Sequence, residues 1–467
     1  MTWRRDRGSF RDPSGFVFYH EGTAYRQVNA AFAAPFRALM QSGLYDELVK
    51  ERLLVSHEEV DLRPPDAPPA HAVLRPEQIP FISYPYEWCF SQLKAAALLT
   101  LQIQRRALAR GLVLRDASAY NVQFVGSRPV FIDTLSFGPY EEGRPWVAYR
   151  QFCQHFLAPL AMIAAVEPSL GELARTHIDG VPLGLASRVL PFRTRFKPGL
   201  LMHLHMHARS MSKAVTKEGP VSRDPGTRDP RMGRTAMLAL IDSLERTVAG
   251  LSWTPPPTLW STYAKHLNYT DAAQEHKRRL VSQMLDRVRT SAYADTVWDL
   301  GANTGAYSRL AADGGARVVS FDGDHAVIEY QFTTLREAGD DRVLPLVQNL
   351  ANPSPAIGWN HAERRSLAER GPADVAMALA LVHHLAIGGN VPLPAVATFF
   401  HGICRHLIIE FVPKGDSQVE RMLAQREDVF ADYTQPAFEE AFAPSFSFVE
   451  SIPIEGTVRT LYLMERR

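Results

Sequence analysis

The sequence predicts an α/β fold for the C-terminal half of the chain, with a parallel β-sheet covered by helices on both faces. Three observations predict it. Short apolar runs alternate with helical patterns from residue 296 onward. A glycine-containing loop follows the first run directly and leads into a helical pattern. An acidic residue, Asp322, ends the second run, where an open α/β sheet binds ligands.

The strands of this sheet are predicted from apolar runs of five or six residues. Five buried strands are expected, at 296–300, 316–321, 343–347, 374–379 and 406–411. Two further runs, 449–454 and 459–464, predict an antiparallel pair that closes the sheet. Helical patterns between the earlier strands are typical of a parallel arrangement, because parallel neighbours need crossover connections.

The N-terminal half has a different pattern, which predicts an α+β domain. It contains a hairpin at 15–28, helical stretches at 30–52 and 90–110, and a proline-rich crossing at 63–80. Because 467 residues exceed the usual size of one core, we expect two domains, 1–206 and 235–467. The intervening 207–234 is rich in Gly, Pro, Ser and charged residues, which predicts a flexible linker.

Composition excludes several classes of protein. The net charge of +1 provides no overall field for nucleic acid or an anionic membrane, although a local basic patch is compatible with it. The most apolar segments, 156–166 and 376–387, are shorter than the about 20 residues of a membrane span, and the N-terminus lacks a secretory pattern. Three widely spaced cysteines predict neither a disulfide framework nor a metal site. We therefore expect a cytoplasmic protein with no membrane partner, and the composition argues against a nucleic-acid partner without excluding one.

The loop at 297–305, with the sequence VWDLGANTG, is the sharpest local signal. Gly301 permits a tight turn, and Gly305 permits close packing of the following helix on the strand. Asn303 occupies a position that is glycine in loops that bind a pyrophosphate. The pattern therefore argues against NAD or FAD and favours a cofactor that has a ribose and no phosphate.

Two carboxylates suit such a cofactor. Asp322 falls about 20 residues beyond the loop, where a carboxylate can accept hydrogen bonds from both hydroxyls of a ribose. Asp299, just before the loop, could meet the ammonium group of a methionyl tail. An ordinary strand–turn–helix in another nucleotide-binding protein is the alternative.

DLGANTG followed by SFDGD resembles motifs I and II of the Rossmann-like class I methyltransferases that use S-adenosylmethionine. In addition, ANPSPAIGW, ALALVHHLAI, LIIEFVPKGDSQV and RTLYLMER resemble a bacterial family of nodulation-type methyltransferases. The third acidic position of the motif set holds Gln348 and Asn349 instead of Asp. The resemblance implies cofactor-binding roles for Asp299, Gly301, Asn303 and Gly305 at the methionyl part, Asp322 at the ribose and Asn349 at the adenine.

Candidate catalytic residues lie at the ends of the fourth and fifth strand patterns. His383 and His384 end the fourth strand pattern, so one of them should face the acceptor and could take its proton. Histidines that cap a helix or simply pack are the alternative. Glu410 ends the fifth strand pattern, where it either faces the substrate or pairs with a Lys or Arg. Upstream of the first strand, Trp260, Tyr263, Tyr269 and Lys277 occupy a region where such enzymes often place a helix over the cofactor, and packing is the alternative role for the aromatic residues.

The end of the fourth strand lacks two sequence signatures of nucleobase methylation. It has neither the Asn/Asp-Pro-Pro-aromatic tetrad of adenine amino methylases nor the Pro-Cys of cytosine-C5 enzymes. Both absences favour a small-molecule acceptor, and methylation of RNA is an alternative.

The N-terminal half contains a second resemblance. Asp116, Asn121 and Asp133 have the spacing of the catalytic loop and metal-binding Asp of protein and small-molecule kinases. No glycine-rich loop of the G-x-G-x-x-G type and no Val-Ala-x-Lys strand precede them. We therefore expect a degenerate kinase-like domain that serves in substrate binding or docking.

Two functional hypotheses follow. In the first, the chain methylates a small metabolite or natural-product intermediate, and its N-terminal half shapes the acceptor site. In the second, the chain is a bifunctional or scaffold protein whose kinase-like half binds a nucleotide or a carrier partner. Binding of ATP with magnesium distinguishes the two.

Overall fold

The computed structural model describes residues 3–65, 67–216, 231–256, 270–292, 295–424 and 426–467. The chain forms two compact units. The first comprises Met1–Thr254 together with Gly358–Arg364, and the second comprises Pro255–Ile357 with Arg365–Arg467.

The first unit extends to Thr254, further along the chain than the predicted N-terminal domain, 1–206. A helix at Arg234–Ala249, predicted to belong to the C-terminal domain, lies in the first unit. Part of the predicted linker, His207–Thr216, is helical. The rest of that linker up to residue 230 lies outside the described residues.

The first unit begins with an antiparallel sheet of five described strands in the order β1-β2-β3-β5-β4. These are β1 (Trp3–Arg5), β2 (Gly15–His20), β3 (Thr23–Asn29), β4 (His57–Glu59) and β5 (Ala70–Pro76). Helices α1 (Ala33–Gln41) and α2 (Leu44–Lys50) connect β3 to β4. The predicted single helix over 30–52 is therefore interrupted, and Gly43 adopts a left-handed φ of 72° at the break. Glycine has no Cβ and takes this conformation at little cost.

Helix α3 (Phe90–Ala109) follows the sheet and matches the predicted helix at 90–110. After it, β6 (Leu112–Leu114) pairs with β9 (Phe137–Pro139), and β7 (Val122–Val125) pairs with β8 (Arg128–Phe131). The remaining helices of this unit are α4 (Tyr149–Phe152), α5 (Ala158–Ala165), α6 (Leu173–Thr176), α7 (Leu183–Val189), α8 (Pro198–Leu200), α9 (His207–Thr216) and α10 (Arg234–Ala249).

A short segment from the second half of the sequence completes the first unit. Within Gly358–Arg364, the buried Glu363 accepts two hydrogen bonds from Arg11, at 2.9 and 2.7 Å. The Arg364 guanidinium lies 4.1 Å from the centre of the Tyr120 ring. This unit is thus assembled from two separate stretches of the chain.

The second unit is a seven-stranded α/β sheet in the order β12-β11-β10-β13-β14-β16-β15. Its strands are β10 (Thr296–Leu300), β11 (Arg317–Asp322), β12 (Val343–Val347), β13 (Ala373–Ala378), β14 (Cys404–Phe411), β15 (Phe446–Pro453) and β16 (Thr460–Arg466). The five strands β10 to β14 are parallel, and β16 pairs antiparallel with both β14 and β15. The predicted α/β fold, its five parallel strands and its closing antiparallel pair are confirmed.

Helices cover this sheet along its length. They are α11 (Asp271–Ala292), α12 (Ala306–Asp313), α13 (His325–Ala338), α14 (Leu393–Ile403), α15 (Ser417–Leu423) and α16 (Gln435–Phe442). One core cluster joins apolar residues of α11, such as Val281 and Met284, to Val297 and Val375 of the central strands. Among the described residues, no helix combines the length and apolarity needed to cross a bilayer.

Candidate cofactor and acceptor site

The loop between β10 and α12 makes the sharp turn that its glycines predict. The backbone N–H groups of Gly301 and Ala302 both donate to the carbonyl of Phe321, at 2.9 and 3.0 Å. Gly301, Asn303 and Gly305 have φ values of 76°, 50° and 76°. These left-handed conformations hold the loop at the carboxyl ends of β10 and β11, the edge where open α/β sheets bind ligands.

Gln331 of α13 supports this loop through hydrogen bonds, and no sequence motif predicts this role. Its side-chain amide donates to the carbonyl of Asn303, and its side-chain oxygen accepts a hydrogen bond from Ser320 at 2.7 Å. A Cβ at Gly305 would lie 2.7 Å from that same oxygen, so the position requires glycine. A buried glutamine on the helix after the second strand is the only local signal for this role.

Asp322 lies at the end of β11, facing the loop. One carboxylate oxygen accepts from the N–H of Asn303 at 2.8 Å and the other from the N–H of Asp324 at 2.9 Å. Burial raises the pKa of Asp322 to about 6, against the opposing effect of these hydrogen bonds. Because each carboxylate oxygen can accept a second hydrogen bond, the group can still receive two hydroxyls.

Asp299 of β10 is a second buried carboxyl group beside the loop. It accepts a hydrogen bond of 2.6 Å from the hydroxyl of Ser308, on the first turns of α12. Burial raises the pKa of Asp299 to about 6, and the charge of Asp322 contributes in the same direction. Two carboxyl groups with raised pKa values beside one loop favour a ligand that carries positive charge.

The two residues that follow β12 differ in their exposure to solvent. Gln348 is buried, and its side-chain oxygen accepts from the Ser354 hydroxyl at 2.9 Å. Asn349 is exposed, and its side-chain oxygen accepts from the N–H of Ala351 at 2.9 Å. Its oxygen has a second acceptor position for an adenine amino group, and this role stays a prediction.

The two histidines do not end a strand, as the apolar pattern suggests. β13 stops at Ala378, and His383 and His384 lie in a helical turn beyond it. Their rings are 4.2 Å apart. His383 is completely buried, and neither ring nitrogen has a hydrogen-bond partner among the described residues. Burial lowers the pKa of His383 well below 6.5 and that of His384 to about 4, so both rings are neutral at pH 7.

Glu410, on β14, is also fully buried, and it is held by two cations. Lys277 of α11 lies 2.6 Å from one carboxylate oxygen, and Arg459 lies 3.2 Å from the other. Arg459 also donates to Asp416 at 2.7 Å. This geometry corresponds to the alternative in which Glu410 is an ion-paired carboxylate and not the substrate-facing group. Lys414, its nearest cation in sequence, pairs with Asp428 instead.

Trp260, Tyr263 and Tyr269, predicted either to cover the cofactor or to pack, lie outside the described residues. All three cysteines are buried, and none of them forms a disulfide bond.

Sequence comparison relates the whole chain to one curated protein. The chain is 37% identical over 472 residues to nodulation protein NoeA of Rhizobium meliloti strain 1021, covering 99% of this chain and 96% of NoeA. The chain belongs to the NoeA family. No model of a known protein family matches this NoeA-family chain.

Solved structures similar to the NoeA-family chain include three methyltransferases. The magnesium protoporphyrin IX methyltransferase ChlM of Synechocystis PCC 6803 with bound SAH is 14% identical, over 44% of this chain and 93% of ChlM, with a TM-score of 0.32. The N-methyltransferase NodS of Bradyrhizobium japonicum WM9 is 11% identical, over 41% and 97%, with a TM-score of 0.30. The bifunctional kinase-methyltransferase WbdD is 17% identical, over 42% of this chain and only 40% of WbdD, with a TM-score of 0.31. Similarity at this level does not establish a shared function.

The kinase-like residues of the NoeA-family chain form a closed polar network. Both oxygens of Asp133 are engaged, one by Arg26 of β3 at 3.2 Å and the other by the Ser136 hydroxyl at 2.7 Å. Asn121 donates to that same hydroxyl at 3.1 Å. Burial raises the pKa of Asp116.

A kinase site would hold magnesium between these groups, and the side chains observed do not fit it. The Arg26 guanidinium supplies the positive charge at Asp133, and the amide of Asn121 points its donor at Ser136. Among the described residues, no group of three or more His, Cys, Asp or Glu is arranged to hold a metal ion. The kinase-like character of this unit stays a prediction.

Proposed function

We propose that this NoeA-family protein is an S-adenosylmethionine-dependent methyltransferase that acts on a small-molecule acceptor. The observation that carries the proposal is the pairing of two carboxyl groups, the buried Asp299 and the partly buried Asp322, around a loop in a left-handed conformation at Gly301 and Gly305. This arrangement offers acceptors and negative charge without the phosphate-binding backbone of a dinucleotide site.

Each residue of the site has a separate task in this proposal. Asp322 receives the ribose hydroxyls, because its oxygens are already oriented by the N–H groups of Asn303 and Asp324. Asp299 balances the positive charge of the methionyl end, and Ser308 fixes its orientation. When bound, S-adenosylmethionine would supply a methyl group on a sulfonium: a nucleophile on the acceptor would attack the methyl carbon in line, and the carbon–sulfur bond would break with the neutral thioether as the leaving group.

His383 and His384 are the candidates for contacting the acceptor. A Cβ at Gly301 would lie 3.3 Å from Leu381, so the segment leading to the histidines borders the cofactor loop. Buried polar groups without partners are rare, since each costs about 1–3 kcal/mol. The unpaired nitrogens of His383 therefore favour a bound polar group as its partner, and its neutral ring can accept a proton.

Titration calorimetry with S-adenosylmethionine tests the cofactor assignment. Asp322→Ala should weaken binding by about 10-fold to 100-fold, because hydrogen bonds to a charged group contribute about 1.5–3 kcal/mol. Asp313→Ala is the matched control, since Asp313 is an exposed carboxylate of the same domain, paired with Arg342. Unchanged affinity in a folded Asp322→Ala protein would contradict the proposed site.

The acceptor class is tested with a methyl-labelled cofactor. The protein is incubated with the labelled cofactor and, separately, with small-metabolite and RNA fractions of a bacterial extract. Label is expected in the small-molecule fraction and should be lost with Asp322→Ala. Label in RNA alone would contradict the proposed acceptor class while leaving the cofactor assignment in place.

A further inference from the structure

The surface formed by the end of α7 and by the segments between α7 and α8 and between α8 and α9 combines exposed apolar side chains with basic ones. Phe192 and Phe196 are 66% and 75% exposed, and Met202 and Met206 are 48% and 55% exposed. Soluble proteins expose single apolar residues routinely, but clustered large ones indicate an interaction site. We refer to these four residues together with Val189, Arg188, Arg193, Arg195 and Lys197 as the basic–aromatic surface.

This part of the chain is strongly biased in charge. Between Asp179 and Glu218 there are seven Lys or Arg residues and no Asp or Glu. Arg195 lies over the Phe192 ring at 5.1 Å, and Arg195 and Arg209 both lower the pKa of His205. Arg195 and Arg209 therefore lie near the same histidine ring, and Arg195 lies against an exposed aromatic side chain.

The exposed side chains project from an ordered scaffold. Thr194 and His205 are buried and joined by a 2.9 Å hydrogen bond, and Ser187 binds the other ring nitrogen of His205 at 2.8 Å. His203 is buried as well and binds Ser243 of α10 at 2.8 Å. The two phenylalanine rings contact each other edge-on, with centroids 5.5 Å apart. Their exposure is thus a fixed feature of this face.

We propose that the basic–aromatic surface docks the protein on a membrane that contains anionic lipids. Lys and Arg side chains would meet the lipid phosphates, while Phe and Met side chains would enter the boundary between headgroups and acyl chains. This occupant fits better than a protein pocket, because the apolar groups protrude and are interspersed with cations. The net charge of the whole chain is only +1, because the charges of the remaining residues balance the positive charge of this surface.

Co-sedimentation of the full-length protein with lipid vesicles tests this proposal. Binding to phosphatidylcholine vesicles that contain phosphatidylglycerol should exceed binding to pure phosphatidylcholine by about tenfold or more, and high salt should reduce it. Phe192→Ser with Phe196→Ser, and separately Arg188→Ser with Lys197→Ser, should each reduce the binding by about tenfold. The control is Val147→Ser with Val458→Ser, which removes apolar side chains that are equally exposed but lie elsewhere.

Three results would overturn the proposal. The first is equal binding to both kinds of vesicle, and the second is binding that persists in the phenylalanine variant. The third is a dimer in gel filtration that the phenylalanine variant converts to a monomer, since the surface would then join two copies of the chain. Cofactor affinity measured on the same variants reports separately on the methyltransferase site.

Discussion

The ammonium group of Lys277 lies 2.6 Å from a carboxylate oxygen of Glu410, and both side chains are withdrawn from solvent. The other oxygen of Glu410 pairs with Arg459, and Arg459 also holds Asp416. Two cations and two anions therefore form one buried network. Burial lowers the pKa of Lys277, while Glu410 acts in the opposite direction and favours the charged form.

Breaking this network should destabilise the fold. Lys277→Met leaves the buried Glu410 with one cation fewer, and loss of one partner of a buried pair typically costs about 3–5 kcal/mol. The free energy of unfolding is measured by urea denaturation. Lys414→Met is the control, because the partly exposed Lys414–Asp428 pair should contribute less than about 1 kcal/mol. Equal losses in the two variants would contradict this account of the network.

Cofactor affinity should depend on pH through Asp299 and Asp322. Without ligand, burial raises the pKa values of both groups to about 6. Protonation of these groups therefore stabilises the folded state at low pH, and this stabilisation is lost as the pH rises from about 4 to about 6. A cationic cofactor prefers the ionised groups, so its affinity should fall below about pH 6. Calorimetry from pH 5 to pH 8 measures it, and Asp322→Asn should flatten the profile. A parent profile that is already flat would exclude these carboxyls from the site.

The histidines give a prediction about turnover. If His383 or His384 takes the acceptor proton, its replacement by Asn should lower turnover by about 10²–10⁴-fold and leave cofactor affinity unchanged. Since the pKa of His384 is about 4, its titration should produce no inflection between pH 6 and pH 8. His361→Asn is the control, at an exposed position whose left-handed φ of 52° asparagine tolerates. Parent turnover in both test variants would assign the histidines to packing.

The Arg26–Asp133 contact predicts that the first unit does not bind ATP with magnesium. Thermal unfolding of the full-length protein should be unchanged by ATP and Mg²⁺, whereas S-adenosylmethionine in the same assay should raise the unfolding temperature. A rise with ATP and Mg²⁺ that Asp133→Asn abolishes would favour the kinase-like alternative.

The sequence predicted the second unit well because its signals are local. The third strand is observed at its predicted bounds, Val343–Val347, and the Gly301 loop has the expected left-handed conformation. The position of His383 was misjudged because an apolar run continues past Ala378, and apolarity alone does not separate a strand from a buried helical turn.

Features that depend on distant residues escaped prediction. Lys277 and Glu410 are 133 positions apart, and no local pattern pairs them. The exposure of Phe192 and Phe196 is also a property of the folded chain, and no local pattern in the sequence marks either residue as exposed.

The segment Gly358–Arg364 limits how the two units can be exchanged by recombination. It is encoded between β12 and β13 but belongs to the first unit, where Glu363 holds Arg11. Recombination at a point after Thr254 would transfer the first unit without this segment, and the segment would remain with the second unit. Neither unit is therefore encoded by one continuous stretch of the gene, and a single crossover cannot transfer either unit whole.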